Sequence, residues 1–290
     1  MQSFFYFRHK SFGSLPPRPP DRDIEGPFPP KPERSMIDKQ ANFGENGKRD
    51  RNTQLFDRER VRLMSKLITL LHDVPLFQDL SVAELETIVP LFAERKFKKG
   101  TILFFEGDVG EEFYLIHSGV VKIYRIDNSK EIILSLFREG DFFGEMSLVQ
   151  KGLKRSATAE TLEACSLYTL MRSDFQQFME RSPRLCLKLM EVTMERLRKA
   201  NEKIYDLTFL DVRTRTIKTI CRLAEEYGQP KAGGMFIDMK LTHQQLANMV
   251  GTVRESVTKV LQELQEDDHI AIDKKHILIK DIQAMKKQIY

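Results

Sequence analysis

Between residues 101 and 137 apolar residues come in short runs, most of them closed by a glycine turn. Thr101–Phe105 ends at Glu106-Gly107-Asp108, Phe113–Ile116 at Ser118-Gly119, and Glu131–Phe137 at Glu139-Gly140-Asp141, with Val120–Ile126 continuing the pattern. Short, evenly spaced strands with glycine punctuation predict an all-β barrel or sandwich, completed by a strand over Ala157–Met171. The period changes on both sides of this block. Leu63, Leu67, Leu70 and Leu71 have helical spacing, and Ser81 with Glu84 three residues on forms a capping box for a second, short helix. After the strands, Ser182-Pro183 predicts a helix start, with serine as cap and proline at the first helical position. No Gly or Pro then occurs before about Asp206.

Along that long helix Leu187, Met190, Met194, Leu197, Asn201 and Ile204 alternate at spacings of three and four, which is a heptad seam. Leu185, Leu189 and Val192 make a second stripe. A helix apolar on two sides needs two covers, its own barrel and a second copy of the chain, so a homodimer is expected. Burial of both stripes within one subunit is the alternative.

The C-terminal third repeats the helical period twice in quick succession. Phe209–Tyr227 is amphipathic and stops at Gly228; Gln229–Gly234 reads as a loop, followed by Met235-Phe236-Ile237. Thr242 and Gln245 then form a capping box flanked by Leu241 and Leu246 at the staple positions, and the helix runs to Val250 before Gly251 turns the chain. Thr252 and Glu255 read as a second capping box, with Val253, Val257, Val260, Leu261 and Leu264 as the buried stripe. Two capped helices joined at one glycine match a helix-turn-helix. Arg254 and Glu255 lie in the first turn of the second helix, where base edges are read; Thr258, Lys259 and Gln262 share the outer face. Glu255 acting only as a cap, and Arg254 and Lys259 as a solvated face, are the competing readings. Ile270–Ile272 and Ile277–Ile279 around Asp273-Lys274-Lys275 read as a hairpin wing with a basic tip for phosphates.

Candidate ligand chemistry sits in Gly140-Asp141-Phe142-Phe143-Gly144-Glu145-Met146-Ser147-Leu148 and Arg155-Ser156-Ala157. Gly144 permits close backbone approach. Glu145 can accept from a ribose 2′-hydroxyl, Met146–Val149 forms a helical turn presenting amides, Arg155 supplies a bidentate grip on a phosphodiester and Ser156 a hydroxyl. Any one of these groups alone is an ordinary turn or ion pair; their combination suits a cyclic nucleotide.

Composition adds boundaries. At 290 residues the chain has room for two cored domains, and 41% apolar with 30% charged residues is ordinary for a soluble protein. Residues 1–63 hold 13 Lys/Arg against 9 Asp/Glu, so the tail carries the whole net charge of +4, and residues 207–290 hold 13 against 11. DNA binding must therefore rest on local placement. Eight of the twelve prolines lie between Pro16 and Pro32, and residues 1–63 are expected to be a disordered tail, with Met36 and Met64 as alternative starts. The apolar runs are too short for a membrane span or a secretory signal, so a cytoplasmic protein is expected. Cys165, Cys186 and Cys221 are far apart, the histidines lack metal spacing, and no nucleophile–base constellation is present, which argues against a disulfide frame, a metal site or an enzyme.

From about Leu71 onward the chain resembles the CRP/FNR family of bacterial transcription regulators, most closely its cyclic-AMP receptor branch. The family's phosphate-binding cassette matches Gly144-Glu145 and Arg155-Ser156-Ala157, the barrel glycines match Gly107, Gly119 and Gly140, and the recognition helix matches Arg254-Glu255 with Lys259. The resemblance implies an α+β fold: an N-terminal cyclic-nucleotide-binding β-barrel of jelly-roll (double-stranded β-helix) type over 64–182, a long dimerisation helix over 183–207 and a C-terminal winged helix-turn-helix over 208–290. It also implies a cyclic nucleotide effector, most readily cyclic AMP, with Glu145 on the ribose and Arg155, Ser156 and the Ala157 amide on the phosphate. A dimer reading a TGTGA-like palindrome, ligand-driven repositioning of the recognition helices, and contact between the Gln229–Gly234 loop and RNA polymerase follow from the same resemblance. One departure stands out. Where the family presents Thr-Ser to the adenine, this chain has Ala200-Asn201; Ala200 cannot hydrogen-bond, while Asn201 can serve adenine or guanine. A family member sensing another effector or active without ligand, and a nucleotide-binding regulatory module, remain the alternatives. The iron–sulfur branch is disfavoured because its cysteine cluster is missing.

Overall fold

The computed structural model describes residues 64–128 and 130–289. The expected tail over 1–63 lies outside the described residues. A helix through 64–73 (α1) and α2 (Val82–Ile88) precede the strands. The capping box at α2 forms as expected, Ser81 Oγ accepting from Glu84 N–H and the Glu84 carboxylate accepting from Ser81 N–H.

Eight strands follow: β1 (Ala93–Phe97), β2 (Ile102–Phe104), β3 (Glu112–Ser118), β4 (Val121–Asp127), β5 (Lys130–Phe137), β6 (Phe142–Phe143), β7 (Thr158–Thr161) and β8 (Cys165–Met171). They form two antiparallel four-stranded sheets, ordered β1-β8-β3-β6 and β2-β7-β4-β5. The single strand expected over Ala157–Met171 is therefore two. The chain changes sheets at 162–164, and period-2 patterning cannot register a change of sheet when both strands are buried. Phe113 anchors one core face, stacked on Phe142 and Phe175 and edge-on to Phe77.

Three helices run on from β8: α3 (Arg172–Arg181), α4 (Pro183–Phe209) and α5 (Val212–Tyr227). Pro183 starts α4 as expected, but Ser182 does not cap it. The Ser182 N–H closes α3 on the Phe178 and Met179 carbonyls, which leaves its backbone at φ −126° and its hydroxyl buried without a partner. The two stripes of α4 separate cleanly. Leu185 and Leu189 are buried against the β-sheet unit, while Leu187, Met190, Met194, Leu197 and Ile204 are 54–63% exposed. Leu210 is extended and Asp211 caps α5, its carboxylate accepting from Thr214 N–H at 2.7 Å. Arg215 braces this hinge by donating to the Leu210 and Val250 carbonyls.

The segment read as a loop is a strand pair. β9 (Gly228–Lys231) pairs with β10 (Gly234–Ile237) around Gly233. Gly228 and Pro230 hid β9, since both are poor strand formers; Pro230 is tolerated because β9 is an edge. α6 (His243–Val250), α7 (Arg254–Glu266), β11 (Ile270–Asp273), β12 (His276–Ile279) and a short terminal α8 (Ile282–Lys287) complete the chain, with the sheet order β11-β12-β10-β9.

Lys203 of α4 points inward and donates to the Ile133 carbonyl of β5 at 2.7 Å. Burial, reinforced by Arg222, pulls its amine from 10.5 down to about 8. With the folded value below the unfolded one, the native state binds fewer protons between the two, so stability rises with pH across that window. Urea unfolding at about pH 7.5 and about pH 9.5 should show this rise, and Lys203→Met should flatten it.

Candidate functional site

The cassette begins where β6 ends. Gly144 adopts φ +88°, and a Cβ there would stand 2.7 Å from Arg155 Nη1 and 3.0 Å from the Glu112 carbonyl, so only glycine fits. The short helical turn expected over Met146–Val149 is a 3-10 turn over Glu145–Ser147. Opposite it, the Arg155 N–H donates to the Asp108 carbonyl at 2.7 Å, and the Arg155 carbonyl accepts from Gly107 N–H.

Arg155 is 6% exposed, and its pKa is lowered, chiefly by burial. Nη1 donates to Gly144 O and Ser147 Oγ, both at 2.8 Å, and Nη2 donates to Glu112 O at 2.7 Å. The guanidinium lies 4.2 Å from the Phe104 ring centroid. A guanidinium has five N–H donors; these bonds use three and leave Nε–H and one Nη2–H. Nε is buried without a partner among the described residues.

Glu145 is 5% exposed. Its Oε1 accepts from Arg196 Nη1 at 2.6 Å, while Oε2 is buried and unpartnered. An unsatisfied buried polar atom typically costs about 1–3 kcal/mol. Among the described residues four buried side-chain atoms lack partners, and two of them are these cassette groups facing the requirements of a hydroxylated anion. The residues thus fit a ribose-phosphate: one unpaired carboxylate oxygen and one unpaired guanidinium N–H.

Ser156 is exposed, its hydroxyl 3.9 Å from Met146 Sδ, and Ala157 is buried beside it. Asn201 is not joined to these groups; it lies exposed on the outer seam of α4 beside Ala200. The residue the sequence reading missed is Arg196. It reaches from α4 to Glu145 and to the Phe142 carbonyl at 2.6 Å, its guanidinium against the Phe142 and Phe137 rings. Its signal was present: it falls seven residues after Leu189, on the inward stripe, where a charge is unexpected.

At the other end of the chain the helix pair meets at Gly251, in the left-handed region at φ +75°. The Thr242–Gln245 box forms, and Leu241 and Leu246 are buried. The Thr252–Glu255 box does not. Thr252 N–H bonds the Ala247 carbonyl and belongs to the end of α6, so α7 starts one residue later with Val253 as its uncapped N-cap. Val253 is accordingly exposed, while Val257, Val260, Leu261 and Leu264 are buried as expected. Thr252 is half-buried, and Thr258 is held 2.9 Å from His243 Nδ1. Arg254, Glu255 and Lys259 are exposed, and none of them makes an ion pair with another described residue. With the box absent, capping does not account for Glu255.

The wing forms as expected, and its two-residue tip is unusual. Lys274 and Lys275 have φ of +46° and +71°, the combination of a type I′ turn that favours Asn-Gly. Both are exposed.

A cyclic nucleotide-binding domain model matches residues 94–182, and a Crp-like helix-turn-helix domain model matches residues 214–288. The Cyclic AMP receptor protein of Thermus thermophilus is 33% identical over 194 residues, 67% of this chain and 86% of that protein. The chain belongs to the CRP/FNR family of transcription regulators. Another CRP/FNR relative, the CRP-like cAMP-activated global transcriptional regulator of Mycobacterium tuberculosis, is 28% identical over 214 residues, covering 73% of this chain and 95% of its own. Among solved structures, the c-di-GMP responsive global regulator CLP of Xanthomonas campestris superposes with a TM-score of 0.61 at 26% identity, over 69% of this chain and all of that one. As a CRP/FNR protein the chain pairs a β-rich cyclic nucleotide-binding domain with a C-terminal DNA-binding helix-turn-helix, in a mixed α+β fold. Among the described residues no helix is long and apolar enough to cross a membrane.

Proposed function

We propose that this protein is a cytoplasmic, homodimeric transcription regulator whose DNA binding is switched by a cyclic nucleotide, cyclic AMP in the first instance. The carrying observation is the pair of buried groups left without partners in the cassette, Glu145 Oε2 and Arg155 Nε. Glu145 takes the ribose hydroxyl; Arg155, Ser156 and the Ala157 amide take the phosphate, with Gly144 clearing the approach. Arg196, already on Glu145, joins the ligand site to α4. The exposed seam of α4 supports a second copy as its cover, and Asn201, on that seam, is placed to meet the base from the dimer axis. Calorimetry with cyclic AMP, cyclic GMP and cyclic di-GMP tests the ligand. Heat from none of the three would refute the reading.

A guanine-bearing effector is the second reading. It is favoured by Ala200-Asn201, since Asn both donates and accepts, and by the similarity to a c-di-GMP responsive regulator.

On DNA, Arg254 reads guanine, Glu255 accepts from cytosine N4, and Lys259 sits one turn on, which suits a TGTGA-like half-site in a palindrome. Thr252 and Thr258 flank this surface, and Lys274 and Lys275 take phosphates. The β9–β10 hairpin is the candidate contact for RNA polymerase. The wing offers a direct check. Non-glycine residues at positive φ cost on the order of 1 kcal/mol each. Replacing Lys274 with Asn and Lys275 with Gly should therefore raise unfolding stability by roughly 1–2 kcal/mol. The same variant should bind DNA more weakly and flatten the log–log salt dependence by about two contacts. Unchanged salt dependence would remove the wing from the interface.

A further inference from the structure

β5 is an edge strand, and an edge leaves main-chain groups to be covered. Among the described residues no strand covers it; side chains from α4 and α5 bond its carbonyls, and one from α6 bonds a side chain that it carries. Lys203 of α4 donates to Ile133 O at 2.7 Å, Tyr227 of α5 donates to Leu136 O at 3.1 Å, and Asn248 of α6 donates to Glu131 Oε1 at 3.1 Å. The apolar packing agrees, because Tyr124 and Ile133 of the β4–β5 hairpin belong to the same buried cluster as Leu246, Ala247 and Val250 of α6. The DNA-reading unit therefore has no separate core; its core ends on this hairpin.

Glu131 is held in turn. Lys122 Nζ lies 2.7 Å from Glu131 and 3.2 Å from Glu160, and Glu160 sits on β7, three residues beyond Ala157 of the cassette. A polar chain Glu160–Lys122–Glu131–Asn248 thus runs from the cassette strand to α6, and α6 is tied to the reading helix through His243 and Thr258.

We propose that β5 is the coupling element between cassette and DNA reader, and that the Glu131–Asn248 bond is the contact through which ligand occupancy sets the orientation of the reading helix. Both are positioning residues, outside the cassette and off the reading helix. The proposal rests on the cyclic-nucleotide reading, and its test separates the two.

The test takes the full chain, cyclic AMP and a fluorescent palindromic duplex, and reads the factor by which cyclic AMP tightens DNA binding. Such factors typically run from about 5 to about 150. Asn248→Ala should lower this factor roughly threefold to tenfold, as the net loss of one hydrogen bond predicts. Asn248→Asp should lower it further by setting a carboxylate against Glu131. Adding Glu131→Gln to Asn248→Asp restores a donor opposite a carboxylate and should recover part of the factor. A purely stabilising role would give no such recovery. An unchanged factor in both Asn248 variants overturns the proposal. Amide hydrogen exchange without nucleotide gives a second readout: Asn248→Ala should speed exchange in β5 as well as in α6, and unaltered exchange in β5 also overturns it. A wild-type chain that binds no cyclic AMP counts against the ligand reading instead, while the exchange result still decides whether β5 holds the reader.

Discussion

Arg155→Ala is expected to abolish nucleotide binding. The open Nε and Nη2 donors of Arg155 give a phosphodiester two charge-assisted bonds, each worth about 1.5–3 kcal/mol, so affinity should fall on the order of a thousandfold. Arg155 also ties Gly144 O, Ser147 and Glu112 O together, so the alanine variant loses part of the pocket as well as the charge. Arg155→Lys separates these effects. A lysine keeps a point charge but lacks the planar fork, so it should bind weakly and not at wild-type strength. Calorimetry on both variants, with thermal unfolding to confirm the fold, decides the matter. Wild-type heat from Arg155→Ala would refute the assigned role.

Leu197→Arg is expected to leave the chain monomeric at micromolar concentration. Leu187, Met190, Met194, Leu197 and Ile204 stand on one exposed seam, and an apolar side chain gains about 1.5–3 kcal/mol on full burial. A guanidinium at the centre of that seam forfeits one such term and faces its own copy across the axis. Two linked half-sites commonly gain about 10²–10⁴ in apparent affinity over one, and a monomer loses that advantage on a palindrome. Sedimentation and DNA titration should therefore report the same defect. Arg198→Ala, on the next position and paired among the described residues with Glu195 of its own helix, should remain dimeric. A Leu197→Arg protein that still sediments as a dimer would assign the interface to another face.

The architecture was legible where one physical signal governs one element. Glycine punctuation marked the strands, a serine or threonine three residues before Glu or Gln marked the starts of α2 and α6, and two stripes on α4 separated its inner from its outer face. Misreadings cluster where a residue serves two elements at once. Ser182 and Thr252 are both cap-type residues whose N–H groups close the preceding helix, so neither caps the next. The sheet change at 162–164 and the edge strand carrying Pro230 leave no periodic trace. Of the cassette, Gly144, Glu145 and Arg155 were legible from residue type and spacing. The partnership of Arg196 with Glu145 was not, because the fold brings together residues 51 positions apart; the sequence showed only a charge out of place on the inward stripe of α4. Asn201 was placed beside the cassette by counting, and in one copy of the chain it faces outward; a second copy is what would bring a base against it.

The proposed function depends on one linkage, between nucleotide in the β-sheet unit and DNA on α7. The direct measurement is footprinting of a TGTGA-type palindrome with purified protein, in the presence and absence of cyclic AMP and, in parallel, cyclic GMP and cyclic di-GMP. Two protected half-sites related by a dyad should appear at lower protein concentration with one of these nucleotides than without, and Arg155→Ala should show no such shift. Protection that is equal with and without every nucleotide, or absent throughout, would contradict that linkage.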